Sequence, residues 1–424
     1  MSTTPYDIPA LVEKNSITSN DLGKDTGEAL RQCLAAARSL SFALETPVES
    51  ILRNVWAEQG HHAALRADIH LNLFEKLDDS NGDAKSSSEL VKMTSTDPYL
   101  MGPNEYVPTS FSKAHKEPIY RDAYPTMFEI CGPAFLALPE YLSKSQYKNP
   151  NDPIDSAFQL GHGTKEHFFE WVSQRPERLT QFQHHMAGYR TGRPSWMDPH
   201  FYPVEENLVR GAKTEDDEIF LVDVGGGKGH DLQELYRKHP KLPGKLVLQE
   251  IKGVIEEVEV TGLDGKIVPM EHDFFTKQPV TGARAYYMHS CLHNWPDSKA
   301  HDILTSLKPG LTKGYSKLLI NENVIPDKGA HWLSTALDMV MMTILSACER
   351  TEQDWRALLE SAGFKVVKIW TLVRRENDIL GGNSNDVVMT IAVRRANRSL
   401  VRASRFSINV PVKMTTIAAK QGLS

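Results

Sequence analysis

One histidine and two glutamates in the second half of the chain have the types and placement for moving a proton near neutral pH. His293 lies in ARAYYMHSCLHNWPDSKA, just beyond an apolar run that ends near Met288. Imidazole changes charge between about pH 5 and 8, which suits it to general-base work. Glu322 ends the apolar run SKLLINE, and Glu349 sits in ACERTEQDW between two helical stretches. A carboxylate that accepts a hydrogen bond from one imidazole nitrogen fixes the tautomer and makes the other nitrogen more basic. His289 and His293 also stand four apart, but Ser290 occupies the place where an H-E-x-x-H zinc helix needs glutamate. No metal is expected. A lone histidine is more often structural, and His61, His62, His184 and His185 are read that way.

The second set of chemically capable residues is a string of glycines. In IFLVDVGGGKGH an apolar run with one acid, Asp223, stops at Gly225, Gly226, Gly227 and Gly229. Glycine is needed where a ligand must approach the backbone and a side chain would collide. The spacing is D-x-G-x-G-x-G, with His230 where a dinucleotide fingerprint has its third glycine. No Ser or Thr follows Lys228, which argues against a phosphate-cradling loop. The pattern suits a nucleoside carrying an amino-acid tail, as in S-adenosylmethionine. An ordinary strand–turn–helix is the plain alternative. About twenty residues on, where an adenosine-binding fold grips the ribose hydroxyls, Glu250 ends the apolar run KLVLQE. Beside a bound methyl sulfonium, a neutral His293 would deprotonate a phenol for attack on the methyl group.

The elements that must position these groups alternate. Strands are expected at 219–224, 245–249, 266–268, 284–288, 316–321, 365–371 and 387–394, with helices at 298–309, 333–346 and 351–362 among them. Such alternation gives an α/β fold with a doubly wound, mostly parallel seven-stranded sheet. Ligands of these sheets sit beyond the carboxyl ends of the strands, so Gly225–Gly229, Glu250, Asp273 and the residues after Met288 are expected to line one cleft.

Before residue 215 the chain reads as mainly helical. Leu30, Cys33, Leu34, Ala37, Leu40 and Leu44 recur at helical spacing, and in SSSELVKM Ser88 is read as a helix cap. Pro103, Pro108, Pro118 and Pro125 forbid a long helix over 96–125. Phe169, Trp171 and Met186, with Met341 and Met342 farther on, suit a broad apolar substrate pocket, because methionine adapts to irregular planar ligands. Core packing accounts for them nearly as well.

With 424 residues the chain can bury a large core and divide into two domains, and its formal charge of −6 offers no basic footprint for nucleic acid. No run of apolar residues is long enough to span a membrane, and the amino terminus has no signal-peptide design. Four scattered cysteines without a CxxC fit a reducing, cytoplasmic setting.

DVGGGKGH, the LQE strand end, EHDFF, LHNWPD, LINENVIPD and ERTEQDWRALLESAGF occur in an order that resembles the S-adenosylmethionine-dependent O-methyltransferases of the plant caffeate and fungal sterigmatocystin type. The resemblance is specific over roughly residues 120–395. It implies a Rossmann-like methyltransferase with an amino-terminal helical dimerisation domain, working as a homodimer on a small aromatic or polyketide-derived hydroxyl compound. S-adenosylhomocysteine would be the product. His293 would be the general base, flanked by Glu322 and Glu349. Asp223 and Gly225 would belong to the cofactor loop, Gly226 and Gly227 would touch the methionine part, Glu250 the ribose, and Asp273 with Phe274 the adenine. His289 stands where relatives carry Lys or Arg near the cofactor.

The implied division is 1–120 for dimerisation, 121–214 covering the substrate, 215–396 for catalysis, and a basic tail at 397–424. Between Tyr99 and Ser110 the chain lacks part of the winged-helix segment of relatives. Two other readings stand beside the leading one. Some relatives keep the cofactor as a fixed positive charge for pericyclic rearrangement, and a non-catalytic cofactor-binding partner is the third.

Overall fold

A computed structural model describes residues 7–20, 26–78, 82–189, 195–198, 201–371 and 386–393. The basic tail at 397–424 lies outside the described residues. The described residues form two compact units, one built on the amino-terminal region to Lys144 with residues 157–189, the other on residues 145–156 and those described between 195 and 393.

The first unit is helical. Thr46 and Glu49 form a capping box at Pro47–Leu52, which runs through the π-turn Arg53–Ala57 into Glu58–His70. Each partner of the box satisfies a backbone N–H that the first turn leaves orphaned. The same device starts Ser87–Thr94, with Ser86 as cap and Glu89 reaching back to it. The cap is therefore Ser86, not Ser88: only Ser86 stands three residues before a glutamate able to return the bond. The proline-rich stretch holds short helices and the two-residue β2 (Glu105–Tyr106), which pairs antiparallel with β1 (Lys85–Ser86) ahead of it. His184 pairs with Asp122 at 2.6 Å, a structural partner for a histidine expected to be structural.

The second unit carries one sheet of seven strands: β3 (Ile219–Val224), β4 (Lys245–Glu250), β5 (Ile267–Glu271), β6 (Ala285–His289), β7 (Lys317–Asn323), β8 (Phe364–Thr371) and β9 (Asp386–Val393). Their spatial order is β5-β4-β3-β6-β7-β9-β8, and every pairing is parallel except those made by β9. All seven strands fall where the apolar runs place them. β5 runs on to Glu271, past the expected end at 268, because an edge strand tolerates Pro269, which has no N–H donor. Both sheet faces are covered. Val222, Val247, Tyr286 and Leu318 pack toward Ile303, Trp355 and Leu359, while Leu221, Leu246 and Tyr287 pack toward Leu232, Leu235 and Trp196.

Strand order reverses between β3 and β6, whose partners on the far sides are β4 and β7. The loops leaving β3 and β6 therefore open side by side at the carboxyl edge. One carries the glycines and the other carries His293.

Candidate active site

The loop after β3 is possible only with glycine. Gly225, Gly227 and Gly229 have φ of +72°, +58° and +76°, a region that costs other residues about 1 kcal/mol or more. A Cβ at Gly226 would stand 2.4 Å from the buried Asp223 carboxylate. The N–H groups of Gly225 and Gly226 donate to the Gln249 carbonyl at 2.8 and 3.3 Å, fastening the loop to the end of β4. There Glu250 accepts from Gly227 N–H at 3.2 Å and from Ile251 N–H at 2.8 Å. Burial raises the Glu250 pKa, and these two donors work against the rise.

The residues present fit an adenosine cofactor. Space stays open where a Gly227 side chain would project, and a Cβ at Gly225 would lie 3.4 Å from the Phe274 ring. Phe274, Phe275 and Trp295 form an aromatic group with centroids 4.7 to 6.1 Å apart. Asp273 is exposed just past β5, with one carboxylate oxygen accepting from Phe275 N–H at 2.9 Å. His289 ends β6 and bonds Asp231 at 2.7 Å through Nδ1, while Tyr287 donates to the same carboxylate oxygen at 3.1 Å. His289 lies on the strand and His293 on the following 3₁₀ turn, so the pair does not share a helix face. Among the described residues, no group of three or more His, Cys, Asp or Glu is arranged to hold a metal ion.

His293 sits on the turn Leu292–Asn294 and is buried, as are Glu322 and Glu349. Glu322, near the end of β7, turns one oxygen back into the turn. Its Oε1 accepts N–H donations from Cys291 at 2.9 Å, Leu292 at 2.8 Å and His293 at 3.4 Å. Its other oxygen stands 4.0 Å from His293 Nδ1. Glu349 lies between helices Trp332–Leu345 and Glu352–Ser361 and meets His293 Nδ1 at 2.7 Å. A carboxylate cannot donate there, so Nδ1 carries the hydrogen and Nε2 is left to take a proton. Asp338 accepts from the Glu349 backbone N–H at 2.9 Å and holds that acid in place.

Burial is the largest influence on His293 and opposes its charge. The Glu349 and Glu322 carboxylates outweigh it and raise the pKa to about 9. Burial likewise raises Glu322, against the favourable pull of His293. The three groups thus hold a proton tightly in a dry site, which makes the neutral imidazole a strong base.

The pocket candidates divide. Met341 and Met342 are buried on Trp332–Leu345, the helix that also carries Asp338. Phe169, Trp171 and Met186 belong to the first unit. There Trp171 lies edge-on to Phe158 at 5.5 Å, with the Arg175 guanidinium 4.0 Å above its ring. Phe169 packs on Phe168, and Met186 is 37% exposed. Asp231 and Asp338 were not singled out from sequence. Each is a short acid inside helical spacing, and only the fold reveals its partner.

Residues 216–365 match the O-methyltransferase domain family. The chain is 32% identical over 378 residues to the O-methyltransferase mpaG of Penicillium brevicompactum, covering 85% of this chain and 95% of that protein. It is 32% identical over 390 residues to the demethylsterigmatocystin 6-O-methyltransferase of Aspergillus parasiticus, covering 88% of this chain and 96% of that one. Among solved structures, LepI in complex with S-adenosylmethionine superposes with a TM-score of 0.79 at 25% identity, covering 92% of this chain and all of that one. The same fold has also been solved as a pericyclic reaction enzyme, at 25% identity. Fold, glycine loop, buried histidine–carboxylate set and relatives agree: the chain belongs to the S-adenosylmethionine-dependent O-methyltransferases and methylates a hydroxyl of a small molecule.

Proposed function

We propose that the substrate is a phenolic or enolic hydroxyl of a small aromatic, polyketide-derived secondary metabolite, and that His293 is the general base. The relative named for 6-O-methylation of demethylsterigmatocystin supports this substrate class. The observation that carries the base assignment is the 2.7 Å bond from His293 Nδ1 to Glu349 within a buried site. Nε2 takes the hydroxyl proton, and the Glu349 and Glu322 carboxylates stabilise the imidazolium that forms.

Asp223, Gly225, Gly226 and Gly227 supply the backbone surface against which the cofactor rests. Gly226 and Gly227 serve the methionine part, Glu250 the ribose hydroxyls, and Asp273 with Phe274 the adenine, while His289, oriented by Asp231, lies on the cofactor side. When bound, S-adenosylmethionine supplies the electrophilic methyl group and leaves as S-adenosylhomocysteine. Met341 and Met342 shape the substrate side.

Residues 1–120 form the dimerisation region, 121–214 cover the substrate and 215–396 carry catalysis. In that first region Leu34, Ile51, Val55 and Trp56 are 48 to 71% exposed, an apolar surface suited to a second copy of the chain. The four cysteines are free thiols, in keeping with a cytoplasmic enzyme.

The test is transfer of label from methyl-labelled S-adenosylmethionine to a panel of phenolic polyketides. A methylated product supports the reading. A product of unchanged mass would move it to a rearrangement of the kind the pericyclic relative suggests.

A further inference from the structure

Arg350 follows Glu349 directly, and its side chain is fully buried although the acid it pairs with, Asp297, is 62% exposed. A buried guanidinium is costly unless its donors are engaged. Here they are. Nη1 donates to the Leu292 carbonyl at 3.0 Å, Nη2 to the Trp295 carbonyl at 2.8 Å, and Nε to Asp297 at 2.9 Å. The indole of Trp355 lies beneath, 5.0 Å from the guanidinium carbon.

All of those carbonyls and the carboxylate belong to the segment that carries His293. Glu322 holds the same segment from its N–H side. The backbone of Arg350 is in turn tied to the end of β7. It bridges Val324, and its carbonyl accepts from Ile325 N–H at 3.1 Å. One residue is thus fixed to the His293 turn by its side chain, to the Glu322 strand by its backbone, and to Glu349 through the chain.

We propose that Arg350 is a positioning residue for His293. Its guanidinium locks the turn between the two carboxylates and limits how firmly they hold a proton on the imidazole. Lysine could keep the charge but not the planar fork that reaches two carbonyls and a carboxylate together. The fixed positive charge acts on His293 in the same direction as burial, which is the larger influence, and against Glu349 and Glu322. Without it the imidazole would stay protonated to higher pH and deliver less base.

The kinetic part of this inference rests on His293 being the base; the titration part does not. The experiment compares wild type, Arg350→Met, Arg350→Lys and Asp297→Asn by nuclear magnetic resonance titration of the His293 ring, by kcat, and by calorimetric affinity for S-adenosylmethionine. For Arg350→Met the His293 midpoint is expected to rise and kcat to fall about 10- to 100-fold, as misplacement of a reacting group costs, with cofactor affinity nearly unchanged. Arg350→Lys should restore the midpoint while kcat stays low. A midpoint that does not move in Arg350→Met, with cofactor affinity intact, overturns the tuning role. Wild-type kcat in that variant overturns the positioning role. If Arg350→Met fails to fold, Asp297→Asn at the exposed end of the fork decides: a lowered kcat with intact cofactor affinity supports the proposal, and wild-type kcat overturns it. A raised midpoint in Arg350→Met stands even if another residue proves to be the base.

Discussion

His293 and Glu349 are 56 residues apart in the chain and joined by a 2.7 Å hydrogen bond inside the protein. Glu349 in turn hangs by its backbone N–H from Asp338, and Glu322 stands 4.0 Å from the same ring nitrogen. The imidazole is therefore held by two buried acids that reach it from separate elements, one the end of β7 and the other the loop between two helices.

This arrangement sets a pH dependence. Because the His293 pKa is raised to about 9, the imidazole is charged below that value and becomes a base as pH rises through it. Methyl transfer to a phenol should climb from pH 7 to about 9 and then level. In Glu349→Gln the loss of a raising carboxylate should move that inflection to lower pH. The same variant should lower kcat, because the ring orientation weakens. A pH series of kcat on both proteins checks the pair of expectations.

Glu322 offers a separate expectation on stability. Its Oε1 satisfies N–H groups of Cys291, Leu292 and His293. Glu322→Ala leaves buried donors without an acceptor, which costs about 1–3 kcal/mol each where water cannot enter. Glu322→Gln keeps an acceptor oxygen and should unfold close to wild type while still losing activity. Denaturant unfolding of the two variants distinguishes the roles.

The glycine loop predicts unequal effects from equal substitutions. In Gly226→Ala the new methyl would meet the Asp223 carboxylate at 2.4 Å, whereas at Gly227, with φ of +58°, it would project into the open space left for the cofactor. Overpacking of this kind costs about 1–3 kcal/mol. The collision at Gly226 therefore falls on folding, and calorimetry should show the larger loss of S-adenosylmethionine affinity, roughly tenfold or more, for Gly227→Ala, whose methyl takes cofactor space. Equal affinities in the two variants would contradict this placement of the cofactor.

Much of this was legible beforehand for definite reasons. Apolar runs located every strand of the seven-stranded sheet, and the carboxyl-edge rule brings Gly225–Gly229, Glu250 and His293 to one edge of it from the sequence alone. What the sequence concealed lies in side chains whose use depends on direction. Glu322 reads as an acid near a base, yet one of its oxygens is occupied by backbone N–H groups. Arg350 sits openly in ERTEQDW, but nothing in its type says that it turns inward rather than to solvent. The cap misplaced at Ser88 shows the same limit at small scale: three serines in a row are equivalent until the reach of Glu89 selects Ser86.

The surface of the amino-terminal helices yields one more expectation. Trp56 is 71% exposed and Ile51 50% exposed. Trp56→Glu together with Ile51→Glu should turn a dimer into a monomer in analytical ultracentrifugation without changing cofactor affinity. A monomeric wild type would remove the role assigned to residues 1–120.

The most direct measurement is single-turnover methyl transfer from labelled S-adenosylmethionine to a phenolic substrate by wild type and His293→Ala, with cofactor affinity measured in parallel. Loss of a general base lowers the rate about 10²- to 10⁴-fold. The account predicts a fall of that size at unchanged cofactor affinity. Transfer by His293→Ala at the wild-type rate would contradict it.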